Sequence, residues 1–450
     1  MDFLRRTVVA TIACSWLFLS GCGNTYRPVA SILPETPGNP QLADSVAVFN
    51  VNPNAASTGS LSVFNVAGDS NVGNYAIGAN DQLATVTPPQ VPLTSRLITF
   101  AGSNSFVATA DTESNTVTLV NTLLGSTSII SLPAGFVPGF ITATATTGQI
   151  LVSLQATPGS TACPGGKGAI GIILTSTAAL TNTICAGSKP GFLLVAQKDA
   201  EVFILDQTDD SVSVLNLVAL TPSSTTSTPI AVGTTPIWAT ASQDGSTVYV
   251  LNQGSNSISV IDAVAETVTG TITPAGLNSP SVIITDPNFN RLYISNTGGN
   301  SVTALDASTP ALTPVTATPL TVGAAPVALA VTPDGTSVYV ANTGANTVSV
   351  IHANSLIVST LTPTSDTTAR VQSVAVSQNT ENAIKAFIAV TTTNDKANGI
   401  YVVLTSNDSF VSNDTGSILN VAPPQDPSCD VTESCSGVPL QRPVQIVPRI

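Results

Sequence analysis

The sequence is poor in charged residues. Only 9% of its 450 residues are Asp, Glu, Lys or Arg, against about 25% in an average soluble domain. This scarcity excludes a coiled coil and a charged disordered chain, because both depend on many Glu, Lys and Arg residues. The charges that remain are mostly acidic, with 26 Asp and Glu against 13 Lys and Arg. Phosphate backbones repel such a chain, so we expect no nucleic-acid partner.

Histidine and methionine are nearly absent, with one residue of each. This argues against a His-rich metal site and against a Met-lined adaptable groove. Gly165 to Gly168 superficially suggest phosphate binding but lack the strand-to-helix context of a P-loop. Three aspartates, Asp206, Asp209 and Asp210, cluster in what we interpret as a solvated turn. We therefore expect no metal ion and no cofactor, and we assign no catalytic residue.

Long apolar runs are missing after the N-terminus. No segment beyond residue 22 holds the 18 uninterrupted apolar residues that a membrane-spanning helix needs. The apolar fraction is nevertheless 43%, which is enough for a sizeable core. A chain of 450 residues exceeds one ordinary core, so we expect either several domains or one repeat architecture.

The N-terminus has the pattern of an export signal. Two arginines precede an apolar stretch over 7–19, which is shorter than the ~20 residues that span a bilayer. The motif Leu-Ser-Gly-Cys that ends at Cys22 resembles the bacterial lipobox. The resemblance implies a diacylglycerol on the Cys22 thiol, cleavage just before it, and a lipid anchor in the bacterial envelope that faces the periplasm or the exterior. The alternative is an ordinary signal peptide with an incidental cysteine.

Three segments follow from this interpretation. Residues 1–21 form the lipoprotein signal peptide, 22–43 form a Pro-rich tether without periodic pattern, and 44–450 form the folded body. A flexible tether of that length spans about 25 Å.

Six cysteines are present, of which Cys14 leaves with the signal and Cys22 takes the lipid. An even number remains, and in an exported chain this predicts disulfides. The four remaining cysteines can pair in three ways, and the simplest joins those that are close in sequence. No pair has the Cys-x-x-Cys spacing of a zinc or redox site. The local pairs are Cys163 with Cys185 and Cys429 with Cys435.

The folded body is a repeat. Tyr249–Asp262, Tyr293–Asp306 and Tyr339–His352 align without gaps. In each, alternating Tyr, Val, Ile and Thr predict two strands, and a central Asn-x-Gly-x-Asn or similar sequence predicts the tight turn between them. A short apolar strand precedes each hairpin and another strand follows it. Four short strands every ~45 residues are typical of a β-propeller blade.

These three segments resemble the YVTN-type β-propeller repeat family, which is similar to the lactonase-type propellers. The match is specific over about 236–361, and weaker hairpins bring the count to eight blades, with seven as the alternative because the family is usually seven-bladed. The first hairpin, over 45–66, lacks a preceding strand, while 443–448 has the pattern of a first strand without a hairpin. We therefore predict an all-β propeller of four-stranded blades, closed by its C-terminal strand.

Three classes of function remain. The first is an envelope-anchored binding or scaffold surface for a protein or an envelope polymer such as a polysaccharide. The second, implied by the resemblance, is a lactonase-type hydrolase with a site in the central channel that includes residues such as His352 and Arg291. The third is a structural envelope component. Because His352 is the one histidine and aligns with Asp262 and Asp306, we interpret it as a polar turn residue and prefer the binding role.

Overall fold

The structure is a computed structural model whose described residues form eight β-sheets. The predicted signal over 1–21 and the predicted tether over 22–43 lie outside those residues. Within the parts of the chain that the structure describes, no helix is long and apolar enough to cross a membrane. The described residues are 45–51, 59–65, 70–77, 98–101, 106–196, 200–222, 229–378, 384–392, 398–411, 418–419 and 442–448.

Each sheet is one blade of four antiparallel strands, and the blades follow one another around a common axis that their innermost strands surround. We number the blades 1 to 8 in chain order. In blades 4, 6 and 8 the outer strand consists of two short pieces that pair with the same third strand. The prediction of an all-β propeller of four-stranded blades is confirmed, and the number of blades is eight rather than seven.

The strands have the following bounds, given from blade 1 to blade 8. The innermost strands are Arg442–Pro448, Ile98–Ala101, Phe136–Ala143, Pro190–Ala196, Pro236–Ala241, Pro280–Thr285, Pro326–Val331 and Arg370–Gln378. The second strands are Ser45–Val51, Phe106–Asp111, Gln149–Ala156, Glu201–Asp206, Thr247–Asn252, Arg291–Asn296, Ser337–Asn342 and Ile384–Thr391. The third strands are Ser60–Asn65, Thr116–Asn121, Ala169–Leu174, Ser211–Asn216, Ser257–Asp262, Ser301–Asp306, Thr347–His352 and Gly399–Leu404.

The outer strands are shorter or divided, and one turn of 3₁₀-helix over Pro164–Gly166 lies in the loop between the second and third strands of blade 3. The outer strands are Ser70–Ala76, Ser126–Ser131, Ala179–Cys185, Thr221–Pro222 with Ile230–Ala231, Thr267–Ile272, Thr313–Pro314 with Leu320–Thr321, Ile357–Leu361, and Ser409–Phe410 with Ile418–Leu419.

Stacking of the blades decides which strands are buried. The second strand of blade 7, Ser337–Asn342, is buried at every residue because neighbouring blades cover both of its faces. The outer strand of blade 5, Thr267–Ile272, instead alternates between exposed and half-buried residues. Burial on two sides explains why the second and third strands contain continuous apolar runs, whereas the outer strands are rich in Thr and Ser.

The two faces of the ring carry different turns. Strand direction is the same in every blade, so the turns between the second and third strands all lie on one face, which we call the hairpin face. The turns that join the first strand to the second, and the third to the outer, lie on the opposite face. We call this second face the tip face.

Blade 1 is completed by the C-terminal strand. Arg442–Pro448 pairs antiparallel with Ser45–Val51, with Val46 opposite Pro448 and Phe49 opposite Gln445. The C-terminal strand is the innermost strand of this blade and packs against the innermost strand of blade 8. The predicted closure is confirmed. It gives Ser45–Val51 a pairing partner on its inner side, where another chain could otherwise add a strand.

The asparagine that ends the second strand organises the hairpin face of several blades. Asn342 is fully buried, and its Nδ2 donates to Thr347 Oγ1 at 3.1 Å and to Ser349 Oγ at 3.0 Å. Blades 1, 5 and 6 repeat the arrangement with their own asparagine and third-strand hydroxyls. In the turns themselves, Asn256 and Asn300 adopt positive φ, as the predicted tight turns require. These repeated polar residues therefore serve the fold.

Candidate functional site

Exposed apolar side chains concentrate on the tip face. Val218, Val264 and Leu124 are 81%, 72% and 78% exposed, and each lies in the turn between the third and outer strands of its blade. Ile357 begins the outer strand of blade 7 beside the same turn, and Phe289 lies in the first turn of blade 6. We call these five side chains the apolar tips. They are distributed over blades 2, 4, 5, 6 and 7.

The turns that carry three of the tips are fixed by the residue that ends the third strand. Asn216 Oδ1 accepts the backbone N–H of Val218 at 3.0 Å, and Asp262 Oδ1 accepts that of Val264 at 2.9 Å. In blade 2, the side chain of Asn121 accepts the N–H of Leu124 at 3.0 Å in the same way. Because the cap uses the backbone N–H groups of the tip, the apolar side chain is left projecting into solvent.

The hairpin face has a different character. Its turns are rich in Asn, Gly, Ser and Thr, as the repeat requires. Among the described residues, Val137 is the one large exposed apolar side chain near this face, at the start of an innermost strand. The ring therefore has one polar face and one face studded with apolar side chains. One further exposed apolar side chain, Ile129, lies within the outer strand of blade 2. The tip face, where most of these side chains lie, is the candidate interaction surface of the ring.

His352 lies on the tip face at the seam between blades 7 and 8. Its Nε2 lies 3.5 Å from Asp408 Oδ2 and 3.5 Å from Ser359 Oγ. Tyr339 donates its hydroxyl proton to Asp408 Oδ1 at 2.5 Å. Burial raises the pKa of the Tyr339 phenol above its ordinary value, and the hydrogen bond to Asp408 adds to that rise. Asp408 belongs to blade 8, so this cluster ties two blades together.

The residue types of this cluster suggest a Ser-His-Asp triad, but the geometry does not provide one. A triad needs the carboxylate on one imidazole nitrogen and the nucleophile on the other. Here Asp408 and Ser359 both approach Nε2 of His352. The imidazole of His352 therefore cannot accept a proton from Ser359 at one nitrogen while its other nitrogen donates a hydrogen bond to Asp408. The cluster acts as a contact between blades.

Arg291 reaches the neighbouring seam between blades 6 and 7. Its Nη1 donates to the carbonyl oxygen of Ala353 at 2.6 Å and to the hydroxyl of Tyr293 at 3.1 Å. The guanidinium carbon lies 5.3 Å from the centre of the Phe289 ring. Ala353 follows His352 in sequence, so the structure brings both predicted candidates to one region. That region is on the tip face, on second and third strands, and not on the innermost strands that surround the axis.

Asp286 is a buried carboxylate that sequence reasoning did not single out. It is 1% exposed, and its Oδ1 accepts the backbone N–H groups of Asn288 at 2.8 Å and of Phe289 at 3.2 Å. Burial raises the pKa of this carboxyl above its ordinary value. The sequence Asp-Pro-Asn was the available signal, since it is a turn-forming pattern. Asp286 holds the turn that presents the Phe289 tip.

The acidic residues of blade 4 form a capped turn. Asp206 is 1% exposed and accepts backbone N–H groups of Lys189 at 2.7 Å, Thr208 at 3.0 Å and Asp209 at 2.9 Å. The interpretation of this cluster as a solvated turn is therefore wrong for Asp206. This residue ends the second strand of blade 4, at the position where blades 5, 6 and 7 have a buried asparagine, and the sequence alone did not show this. Within the described residues, no group of three His, Cys, Asp or Glu side chains has the arrangement to hold a metal ion.

One predicted disulfide lies within the described chain. Cys163 and Cys185 are bonded, with their Cα atoms 5.8 Å apart. The bond fastens the long loop of blade 3 to the last residue of its outer strand. Gly165 and Gly166 belong to this loop, which agrees with a structural role and not with phosphate binding. The predicted lipidation site Cys22 and the predicted pair Cys429–Cys435 lie outside the described residues and stay predictions.

Part of the chain resembles a known family. The profile of the family described as "Lactonase, 7-bladed beta-propeller" matches residues 260–377, which span blades 6 and 7 and parts of their neighbours. The matched segment contains Arg291 and His352. No curated protein matches the chain. The chain is thus lactonase-like over about a quarter of its length, and it differs from the family description in having eight blades.

Solved structures agree on the fold. A dihydro-heme d1 dehydrogenase, NirN, superposes with a TM-score of 0.61 at 13% identity, over 84% of this chain and 74% of NirN. A putative 6-phosphogluconolactonase from Bacteroides fragilis gives 0.51 at 14% identity, over 71% and 94%. Hydrazine synthase from Kuenenia stuttgartiensis gives 0.51 at 13%, over 69% and 95%. At such identities these similarities establish the propeller fold and nothing about activity.

Proposed function

We propose that this chain is a lipoprotein of the bacterial envelope whose propeller is a binding module, anchored through Cys22 and engaged through its tip face. The observation that supports this most is the concentration of exposed apolar side chains on one face of the ring. A side chain such as Val218, 81% exposed on a capped turn, contributes nothing to the core and gains free energy only when something covers it. The contact of His352 with Asp408 joins blades 7 and 8, and neither it nor the contact with Ser359 involves the apolar tips.

Photocrosslinking in the cell envelope tests the binding role. A photoreactive amino acid at Val218 or Leu124 should form crosslinks to whatever covers the tip face. The same amino acid at Ala162 or Ser114, which are exposed on the hairpin face, is the matched control and should form far fewer. Equal labelling at both pairs of positions, or none at the tips, would contradict the proposal.

A lactonase-type hydrolase is the second candidate. The family match over 260–377, which includes Arg291 and His352, favours it. Opening a lactone with water needs a general base and a group that stabilises the developing oxyanion at about 3 Å from one substrate position. The imidazole of His352 is 39% exposed and is the available base, but Arg291 is committed to a backbone carbonyl.

A lactone assay separates the two candidates. For a binding module, the purified mature protein should hydrolyse a panel of sugar lactones no faster than buffer. Turnover that is lost in His352→Ala or Arg291→Ala, but kept in the control Arg370→Ala, would instead establish the hydrolase. Arg370 is a suitable control because it begins an innermost strand near the hairpin face and donates to the carbonyl oxygen of Ala369.

A further inference from the structure

We propose that the tip face rests on a lipid surface without net charge, the surface in which the acyl chains of Cys22 are anchored. The apolar tips would insert among the headgroups, and the polar hairpin face would point away from the membrane. This inference rests on the proposed function and names what covers the face. Three features of the molecule lead to it: where the tether joins the ring, how the tips are arranged, and which charges lie among them.

The tether joins the propeller on the tip face. Ser45 is the first residue of the second strand of blade 1, and the second strands of all blades begin at the tip face. Ser45 pairs with Asn65, the last residue of the third strand, which also lies on this face. The described chain therefore begins on the tip face, two residues after the end of the predicted tether over 22–43. If 22–43 is a flexible tether, it would span about 25 Å, which is short enough for the tip face to stay near the anchored lipid.

The arrangement of the tips suits a flat partner. Leu124, Val218 and Val264 occupy matching turns in blades 2, 4 and 5, and Ile357 adjoins the matching turn of blade 7. Matching positions in successive blades of a ring lie at a similar height along its axis. A bilayer surface contacts all of them at once, whereas a small globular partner would cover the tips of two or three neighbouring blades. Side chains of this kind enter the boundary between headgroups and acyl chains.

The charges between the tips select the kind of lipid. Asp244 and Asp334 are exposed in the first turns of blades 5 and 7. Hydrogen bonds from Ser242 and Ser246 hold the pKa of Asp244 at about 2, so its carboxylate is ionised at any physiological pH. Such carboxylates are repelled by anionic lipids and attracted by the ammonium groups of zwitterionic lipids. We therefore expect phosphatidylcholine or phosphatidylethanolamine surfaces to be bound in preference to phosphatidylglycerol.

Tryptophan quenching in vesicles tests the proposal. The chain has two tryptophans, Trp16 in the predicted signal and Trp238, so one added tryptophan is easily followed. Lipidated Val264→Trp protein, with acylation of Cys22 verified by mass, is mixed with vesicles of phosphatidylcholine brominated near the headgroup. The added tryptophan should lose roughly half of its emission, because interfacial side chains lie about 5–10 Å deep. The matched control Ala162→Trp, on the hairpin face, should keep its emission.

Combined variants separate docking from anchoring. Adding Leu124→Asp and Val218→Asp to Val264→Trp should abolish the quenching while the protein still floats with the vesicles. Replacing phosphatidylcholine with phosphatidylglycerol should weaken the quenching at low salt. Equal quenching at Val264→Trp and Ala162→Trp, no quenching at either, or an unacylated Cys22 would overturn the lipid proposal. If the envelope crosslinks from the tips run to a protein instead, the binding function stands and the lipid proposal fails.

Discussion

Removal of residues 442–450 should open the ring and cost most of the stability of the propeller. The C-terminal strand forms the whole pairing partner of Ser45–Val51 on its inner side. Its Ile446 is buried in a cluster with Val46 of blade 1 and Phe387 of blade 8. Loss of the buried Ile446 and Pro443, at about 1.5–3 kcal/mol for a fully buried apolar side chain, together with a ladder of strand hydrogen bonds, approaches the total stability of a typical domain. We expect a loss of roughly 5 kcal/mol or more.

Calorimetry and hydrogen exchange measure this effect and locate it. The melting temperature should fall sharply, and amide protection should be lost first in blades 1 and 8, because the deletion opens an edge of blade 1 and removes the packing of the C-terminal strand against blade 8. A chain that ends at residue 448 is the control, because it keeps the strand Arg442–Pro448 intact. If the longer deletion melts like the control, the C-terminal strand contributes nothing to closure.

The strand positions were predictable where the repeat is regular. Alternation of Tyr, Val and Ile around an Asn-x-Gly-x-Asn turn places both strands of a hairpin. The predicted segment Tyr249–Asp262 covers the observed strands Thr247–Asn252 and Ser257–Asp262 except for the first two residues. Closure was predictable too, because 443–448 has the pattern of a first strand that lacks its hairpin. Both signals are local or depend on simple counting, so a single sequence carries them.

Contacts between blades were not predictable. His352 was placed in the correct turn, but its partner Asp408 lies in another repeat, where it occupies an ordinary turn position. Arg291 similarly reaches the backbone of Ala353, and a backbone carbonyl leaves no mark in the sequence. The tip face was missed for a related reason. Exposure of Val264 depends on how the blades stack and how Asp262 caps the turn, whereas in sequence the residue resembles any other valine near a strand.

A glycine lies three residues before the innermost strand of blade 5 and of blade 7, and we expect its replacement to have the second large effect on stability. Gly323 lies against the buried Asn342, whose amide is held by Thr347 and Ser349. A Cβ atom at residue 323 would lie 2.5 Å from Nδ2 of Asn342 and 2.6 Å from Thr347 Oγ1. Gly233 has the same relation to Asn252 in blade 5. Both glycines are the second residue of a Val-Gly-x-x-Pro sequence, over 232–236 and 322–326.

Gly323→Val should therefore destabilise the propeller by about 3 kcal/mol, which is at the upper end for overpacking a buried site. The asparagine cannot move aside without breaking its bonds to Thr347 and Ser349, and both hydroxyls would then lose their buried partner. Gly270→Val is the matched control. A Cβ there meets nothing within 4 Å, and valine suits the outer strand that contains it.

Chemical denaturation of the two variants decides whether these glycines are fixed by packing. Gly270→Val should be neutral or more stable, because valine replaces a residue that weakens strand interiors by about 0.5–1 kcal/mol. Gly323→Val should shift the unfolding midpoint to lower denaturant with an unchanged slope. Equal midpoints would mean that Asn342 can be displaced without cost, and the asparagine network on the hairpin face would then have no structural role. A large shift in Gly323→Val alone would show that the close packing of residue 323 against Asn342 and its hydroxyl partners stabilises the hairpin face.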